Sequence, residues 1–129
     1  MKIVKAFPPN YAELVRVFPI RGKAIYFCYG DTVFNPSGTV IDGPLRAHEA
    51  VHSRRQGNDP AAWWRRYIDD KHFRLDEELL AHRAEFGARL LCGQGRKSAE
   101  GLALRLSSDI YGKMISYASA LAFITEKAE

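Results

Sequence analysis

The stretch LRAHEAVHSRRQG, residues 45–57, places two histidines four residues apart with a glutamate directly after the first. Its flanks predict a helix. Pro44 suits a first helical turn, Asp42 and Gly43 precede it as cap and turn residues, and Gly57 with Asn58 supplies a stop. The helix therefore runs from about Pro44 to Gln56. Residues four apart share a helix face, so His48 and His52 point the same way, close enough to share one ion, and Gln56 continues that face by another turn. Glu49 lies about a hundred degrees round from His48, near enough to reach a water on the ion and badly placed to ligate it. The pattern is H-E-x-x-H, two neutral imidazoles for a metal and one carboxylate kept free as a base. With this composition it arises by accident in roughly one chain in a hundred. The reading it competes with is an exposed amphipathic helix carrying two solvated histidines.

Length and composition narrow the field. At 129 residues and 47% hydrophobic, the chain is expected to be a single domain over 1–129 that buries a core without disulfides. Cys28 and Cys92 lack C-x-x-C spacing and stand among apolar residues, so two reduced structural thiols are expected, which fits a cytoplasmic protein. The N-terminal stretch MKIVKAFPPNYAELVRVF is interrupted by Pro8, Pro9 and Asn10 and holds no long apolar run. Neither signal peptide nor membrane anchor is expected from it. A net charge of +4 and a pI near 9.2 raise the question of nucleic acid. The basic residues, however, come as short pairs, Arg54-Arg55 and Arg65-Arg66, or singly, without glycine and aromatic residues between them. That argues for a solvated surface, or at most a preference for acidic substrates, over a nucleic-acid-binding module.

Along the chain, NYAELVRVF offers a helix start at Asn10. Lys23–Tyr29 is rich in aromatic and β-branched residues, Gly30-Asp31 signals a turn, and Thr32–Phe34 reads as a second short strand before another turn at Asn35–Gly38. Everything after Pro44 reads as helix. Asp59-Pro60 opens a helix whose Trp63, Trp64 and Ile68 are expected to pack on the core, with a substrate subsite including Tyr67 as the alternative. HFRLDEELLAHRAEFGARLLCG predicts a long helix ended by Gly93, with Leu75, Leu79, Phe86 and Leu90 as an apolar stripe and Ala81, Ala84 and Ala88 as a face of close approach. The tail divides into a helix at Ser98–Leu106, a break at SSD, and a last helix from about Ile110 to Lys127. The expected fold class is α+β and mostly helical, a small N-terminal β-meander or hairpin followed by about five helices.

A catalytic zinc site normally takes three protein ligands and leaves a position for water. Arg55 and Asn58 stand where a metzincin would carry its glycine and third histidine, so the third ligand must come from a later helix. DEELLAHRAEF supplies Glu77, Glu78 and Glu85. Glu78, His82 and Glu85 share a face beside the apolar stripe, so burying the stripe would turn them inward, whereas Glu77 points toward the alanine face. This favours Glu78 and leaves Glu77 and Glu85 as alternatives.

H-E-x-x-H followed about 25 residues later by a helix bearing E-x-x-A resembles the gluzincin-type zincin metallopeptidases. More narrowly, HEAVHSRRQG, WW, FRLDEELLAHRAEF and LSSDIYG are similar to small metallopeptidase-like proteins encoded by phages and prophages. The resemblance spans residues 26–115 and implies a minimal zincin-like fold, zinc held by His48, His52 and Glu78, and Glu49 as general base. At His82 the chain departs from relatives that carry an acidic residue there to orient a histidine. The implied activity is peptide-bond hydrolysis: zinc lowers the pKa of a bound water, Glu49 takes its proton during attack on a carbonyl and passes it to the leaving amine. Tyr111, in the break between two helices, is the candidate donor to the developing oxyanion, with Tyr67 and His72 behind it. The implied partners are a peptide or protein substrate and a phage or host protein, in the cytoplasm or on a virion. The alternative is a zincin-fold phage accessory or binding protein that holds zinc with little or no catalysis.

Overall fold

A computed structural model describes residues 1–126. It is mostly helical α+β, with a small sheet at the N-terminal end and six α-helices among the described residues. The elements are β1 (Lys2–Val4), α1 (Tyr11–Val17), β2 (Phe27–Tyr29), β3 (Thr32–Phe34), α2 (Gly43–Gln56), α3 (Pro60–Asp69), α4 (Lys71–Leu91), α5 (Ser98–Leu106), a 3₁₀ turn (Asp109–Tyr111) and α6 (Tyr117–Thr125). No helix of the described residues is long and apolar enough to cross a membrane.

The expected hairpin is β2–β3, and its turn is built on Gly30, whose φ of 66° a side chain would resist. The meander expectation is corrected by β1, which the sequence did not reveal. β1 pairs with β3 in parallel, giving the order β1-β3-β2 with Ile3 and Cys28 both opposite Val33. The strand expected over Lys23–Tyr29 is shortened to its last three residues.

α2 begins where Asp42 accepts a hydrogen bond from the Leu45 N–H at 2.9 Å and stops at Gly57, φ 60°. Asp59 caps α3 through Ala62 N–H, and Asp70 caps α4 through the N–H groups of His72 and Phe73. The last helix begins at Tyr117 rather than Ile110, because Gly112 and Lys113 both take positive φ and break the run. Lys127, its expected end, lies outside the described residues.

Two apolar clusters flank the contact between α2 and α4. The first gathers Leu14, Phe18, Phe27, Trp63, Trp64 and Tyr67 from α1, β2 and α3; the second gathers Phe86 with Ala99, Leu102, Leu106, Ala120 and Ile124 from α5 and α6. The Trp pair thus packs as expected. α4 does not. Of its anticipated stripe only Phe86 is buried, Leu75 and Leu79 are half-buried and Leu90 is exposed, while Glu77, Glu78, Ala81, His82 and Glu85 face inward. Glu78, His82 and Glu85 thus turn inward as expected, and Glu77 lies toward Ala81 as expected but is buried along with them. Cys28 is buried as expected, but Cys92, one residue past α4, is exposed.

Candidate metal centre

α2 and α4 lie side by side, and their facing surfaces are polar. α2 contributes His48, Glu49 and His52, each 5% exposed; α4 contributes Glu78 at 4%. The Nε2 of His48 stands 3.5 Å from Glu78 Oε1, and the Nε2 of His52 stands 3.4 Å from Glu78 Oε2. One ligand atom from each residue can be chosen so that all lie within 4.8 Å of one another. Metal-to-ligand bonds near 2 Å in a tetrahedron set their ligand atoms about 3.3 Å apart, which the two His–Glu78 spacings match. His48, His52 and Glu78 thus form a buried group that could hold a metal ion.

The surrounding atoms support that use. Glu78 Oε1 is buried and makes no hydrogen bond, its nearest cationic neighbour being His48 Nε2 at 3.5 Å, which leaves a lone pair open to a bound ion. The Tyr67 hydroxyl donates to Glu78 Oε2 at 2.7 Å, fixing the carboxylate. The Nδ1 of His48 faces Glu85 Oε1 at 3.0 Å, which leaves Nε2 turned to the site and makes Glu85 the carboxylate that orients a ligating imidazole. Glu85 in turn accepts from Arg89 and from Arg105. His82, fully buried, bridges its Nδ1 to the Glu78 carbonyl at 2.7 Å and accepts at Nε2 from Arg105 Nε at 3.2 Å. His52 has no such orienting partner; its Nδ1 is buried and unbonded, and its ring packs edge-to-face with Trp63, centroids 5.4 Å apart.

The electrostatics follow from this packing. Burial would raise the Glu78 carboxyl, but His52 and His48 outweigh it and hold it well below the usual carboxylate range. Burial would likewise lower His48, yet Glu78 and Glu85 raise it to about 9. Without metal, a proton on His48 thus supplies the positive charge that the two carboxylates demand. His82 is held well below the normal imidazole range by burial and then by His48 and Arg105, so it stays neutral and can accept from arginine. The Glu49 carboxyl is raised by burial, partly offset by the two histidines.

A pocket of about 560 Å³ opens against this group, walled by His48, Glu49, His52 and Glu78 on one side and by aromatic rings including Phe18, Phe27, Trp63 and Tyr67 on the other. Tyr111, half-buried, lines this pocket and a second one beside it, in the company of Glu49 both times. The other anticipated residues fall elsewhere. His72 is exposed at the start of α4, and Tyr67, though at the site, has its hydroxyl committed to Glu78. Glu77 is bonded to Trp63 Nε1 at 2.7 Å and to Arg55 Nε, which ties α2 to α3 and α4 away from the ligand group.

Sequence reasoning weighed Glu85 only as a ligand and missed Arg89 and Arg105 altogether. Glu85 sits seven residues after Glu78, two helical turns along the same face, which was a usable signal; Arg105 lies on another helix and no spacing announces it. No protein-family model matches the chain, and no curated protein and no solved structure gives a significant match.

Proposed function

We propose that the chain is a zinc-dependent peptidase of the zincin type, with His48, His52 and Glu78 as ligands, Glu49 as general base and Tyr111 as donor to the oxyanion. One observation carries the reading. Two imidazole Nε2 atoms converge on a buried carboxylate whose Oε1 has no partner, beside a pocket that also contains an unligated glutamate. A site that merely held metal for stability would gain nothing from burying Glu49 next to it.

Zinc in such a ligand set supplies Lewis acidity toward a water and a carbonyl oxygen. Glu49 takes the proton from the attacking water and returns it to the leaving amine. Its burial raises its carboxyl above the usual glutamate range, which makes it a stronger base than a solvated one. Tyr111 keeps its proton, because burial first and the neighbouring Glu78 second hold the phenol well above its ordinary range; it can therefore donate to an oxyanion. Glu85 and Tyr67 hold His48 and Glu78 in place.

The test is elemental analysis of the purified protein beside His48→Ala and Glu78→Ala, followed by a casein-peptide cleavage assay on Glu49→Gln. The expected result is about one zinc per chain, lost in His48→Ala and reduced in Glu78→Ala, with cleavage abolished in a zinc-replete Glu49→Gln. A parent protein that takes up no zinc when supplied with it, or a Glu49→Gln variant that cleaves normally, would overturn the proposal.

A further inference from the structure

The second pocket, of about 410 Å³, shares Ile25, Tyr26, His48, Glu49, Ile110 and Tyr111 with the first and adds Ala24, Leu45 and Arg105. Arg105 is fixed from behind: Nε–H donates to the neutral His82 and Nη2 to the buried Glu85. A guanidinium has five N–H groups. Those left over, including both on Nη1, bond to no described residue, and the side chain remains 30% exposed. Glu49 lines the same pocket, yet no ion pair joins it to Arg105 among the described residues. Glu49 and Arg105 thus line one shared, mostly apolar space without a direct ion pair. That arrangement leaves room for a substrate group between them and offers it one anchored, positively charged fork.

We infer that Arg105 binds a carboxylate of the substrate, so that the favoured peptides carry one close to the scissile bond. The inference rests on the peptidase reading and adds a substrate class to it. Two features give it direction. Arg105 cannot swing away to solvent without abandoning His82 and Glu85, so its free N–H groups are pre-set and bind without the ordering cost of a mobile side chain. Beside Arg105, the pocket wall holds only His48 and Glu49 as charged groups, so Arg105 is the one cation it offers an anion outside the metal centre. The carboxylate could come from a free C-terminus or from an acidic side chain, and both present the same two oxygens.

The experiment measures calorimetric binding to the zinc-loaded Glu49→Gln protein, which does not turn its ligand over. The probes are N-acetyl-Ala-Phe-Ala as the free acid, the same peptide with a C-terminal amide, and the amide with Asp in place of the last Ala. The free acid or the Asp peptide is expected to bind at least roughly tenfold more tightly than the neutral amide, the usual worth of a charge-assisted bond. A stronger free acid identifies the terminus as the source, and a stronger Asp peptide identifies the side chain. Adding Arg105→Gln should erase the preference. If that variant loses its helical circular dichroism, Arg105→Lys, which keeps a charge without the fork, takes its place and should shrink the preference. Equal binding of the three peptides, no binding by any of them, or an undiminished preference in the variant overturns the assignment. Zinc content, measured on the same samples, keeps this failure separate from that of the metal site.

Discussion

Glu77 and Glu78 are neighbours on one helix, both buried, and the structure gives their truncations different responses to zinc. In Glu77→Ala, the Trp63 indole N–H loses its acceptor inside the protein, which costs about 1–3 kcal/mol. The vacated side-chain volume adds about 1 kcal/mol, whereas Arg55, 47% exposed, turns to water at little cost. The sum is about 2–4 kcal/mol; with about 3–5 °C per kcal/mol for a chain of this size, the melting temperature falls by about 10 °C. Glu78→Ala removes the carboxylate that without metal pairs with His48 and His52 and accepts from the Tyr67 hydroxyl, and breaking this buried pairing costs about 3–5 kcal/mol. Its metal-free melting temperature should fall by about 15 °C. Zinc separates the two variants. At a hundred times its dissociation constant it adds about 2.7 kcal/mol, about 10 °C, to the parent and to Glu77→Ala, and little to Glu78→Ala. Thermal melts of the three proteins, each with and without zinc, test the reasoning. A Glu77→Ala protein that melts like the parent but ignores zinc, or a Glu78→Ala protein that keeps the full zinc increment, would refute it.

Two further outcomes are expected. Glu85→Gln should weaken zinc binding by about 10- to 100-fold, because His48 then loses the anion that orients it; competition with a chromophoric chelator measures this, and unchanged affinity would mean that Glu85 serves packing alone. In a thiol titration of the native protein, Cys92 should react and Cys28 should not, since burial pushes the Cys28 thiol up to about 12. Raising the pH to 9 leaves Cys28 protonated, so it should begin to react only on unfolding or as the pH nears 12. Two equally fast thiols at pH 8 would contradict its burial.

α2 was legible end to end because both of its boundaries are chemical: a capping aspartate with proline in the first turn, and a glycine at positive φ after the last. The histidine pair came with it. α4 was legible as a helix, and with it the inward turn of Glu78, His82 and Glu85, but its leucine stripe was not the buried side. Periodicity assumes that the apolar side goes in, and that assumption fails when carboxylates are matched by partners from elsewhere: Glu77 by Trp63 and Arg55, Glu85 by His48, Arg89 and Arg105. Those partners lie up to 37 residues away along the chain, beyond any local rule. β1 escaped notice because it is three residues long, two of them exposed and one half-buried, and its place is set by pairing with β3 rather than by its own composition. Cys92 was assigned to the interior from its apolar neighbours, yet Leu91 beside it is 91% exposed, and the helix end carries both outward.

The side chains of Gln56, Ser53 and Trp64 all bond to main-chain atoms of the hairpin: Gln56 to Gly30 N–H and Cys28 carbonyl, Ser53 to the Gly30 carbonyl, Trp64 again to the Cys28 carbonyl. Across the pocket, Arg74 Nε holds the Tyr111 carbonyl at 3.1 Å. The hairpin wall is pinned by four bonds between side chains and backbone, so it cannot give way without breaking several of them together, whereas the Tyr111 wall hangs on one. The hairpin side of the pocket is then a fixed gauge rather than a closing hand, a surface already in its working shape.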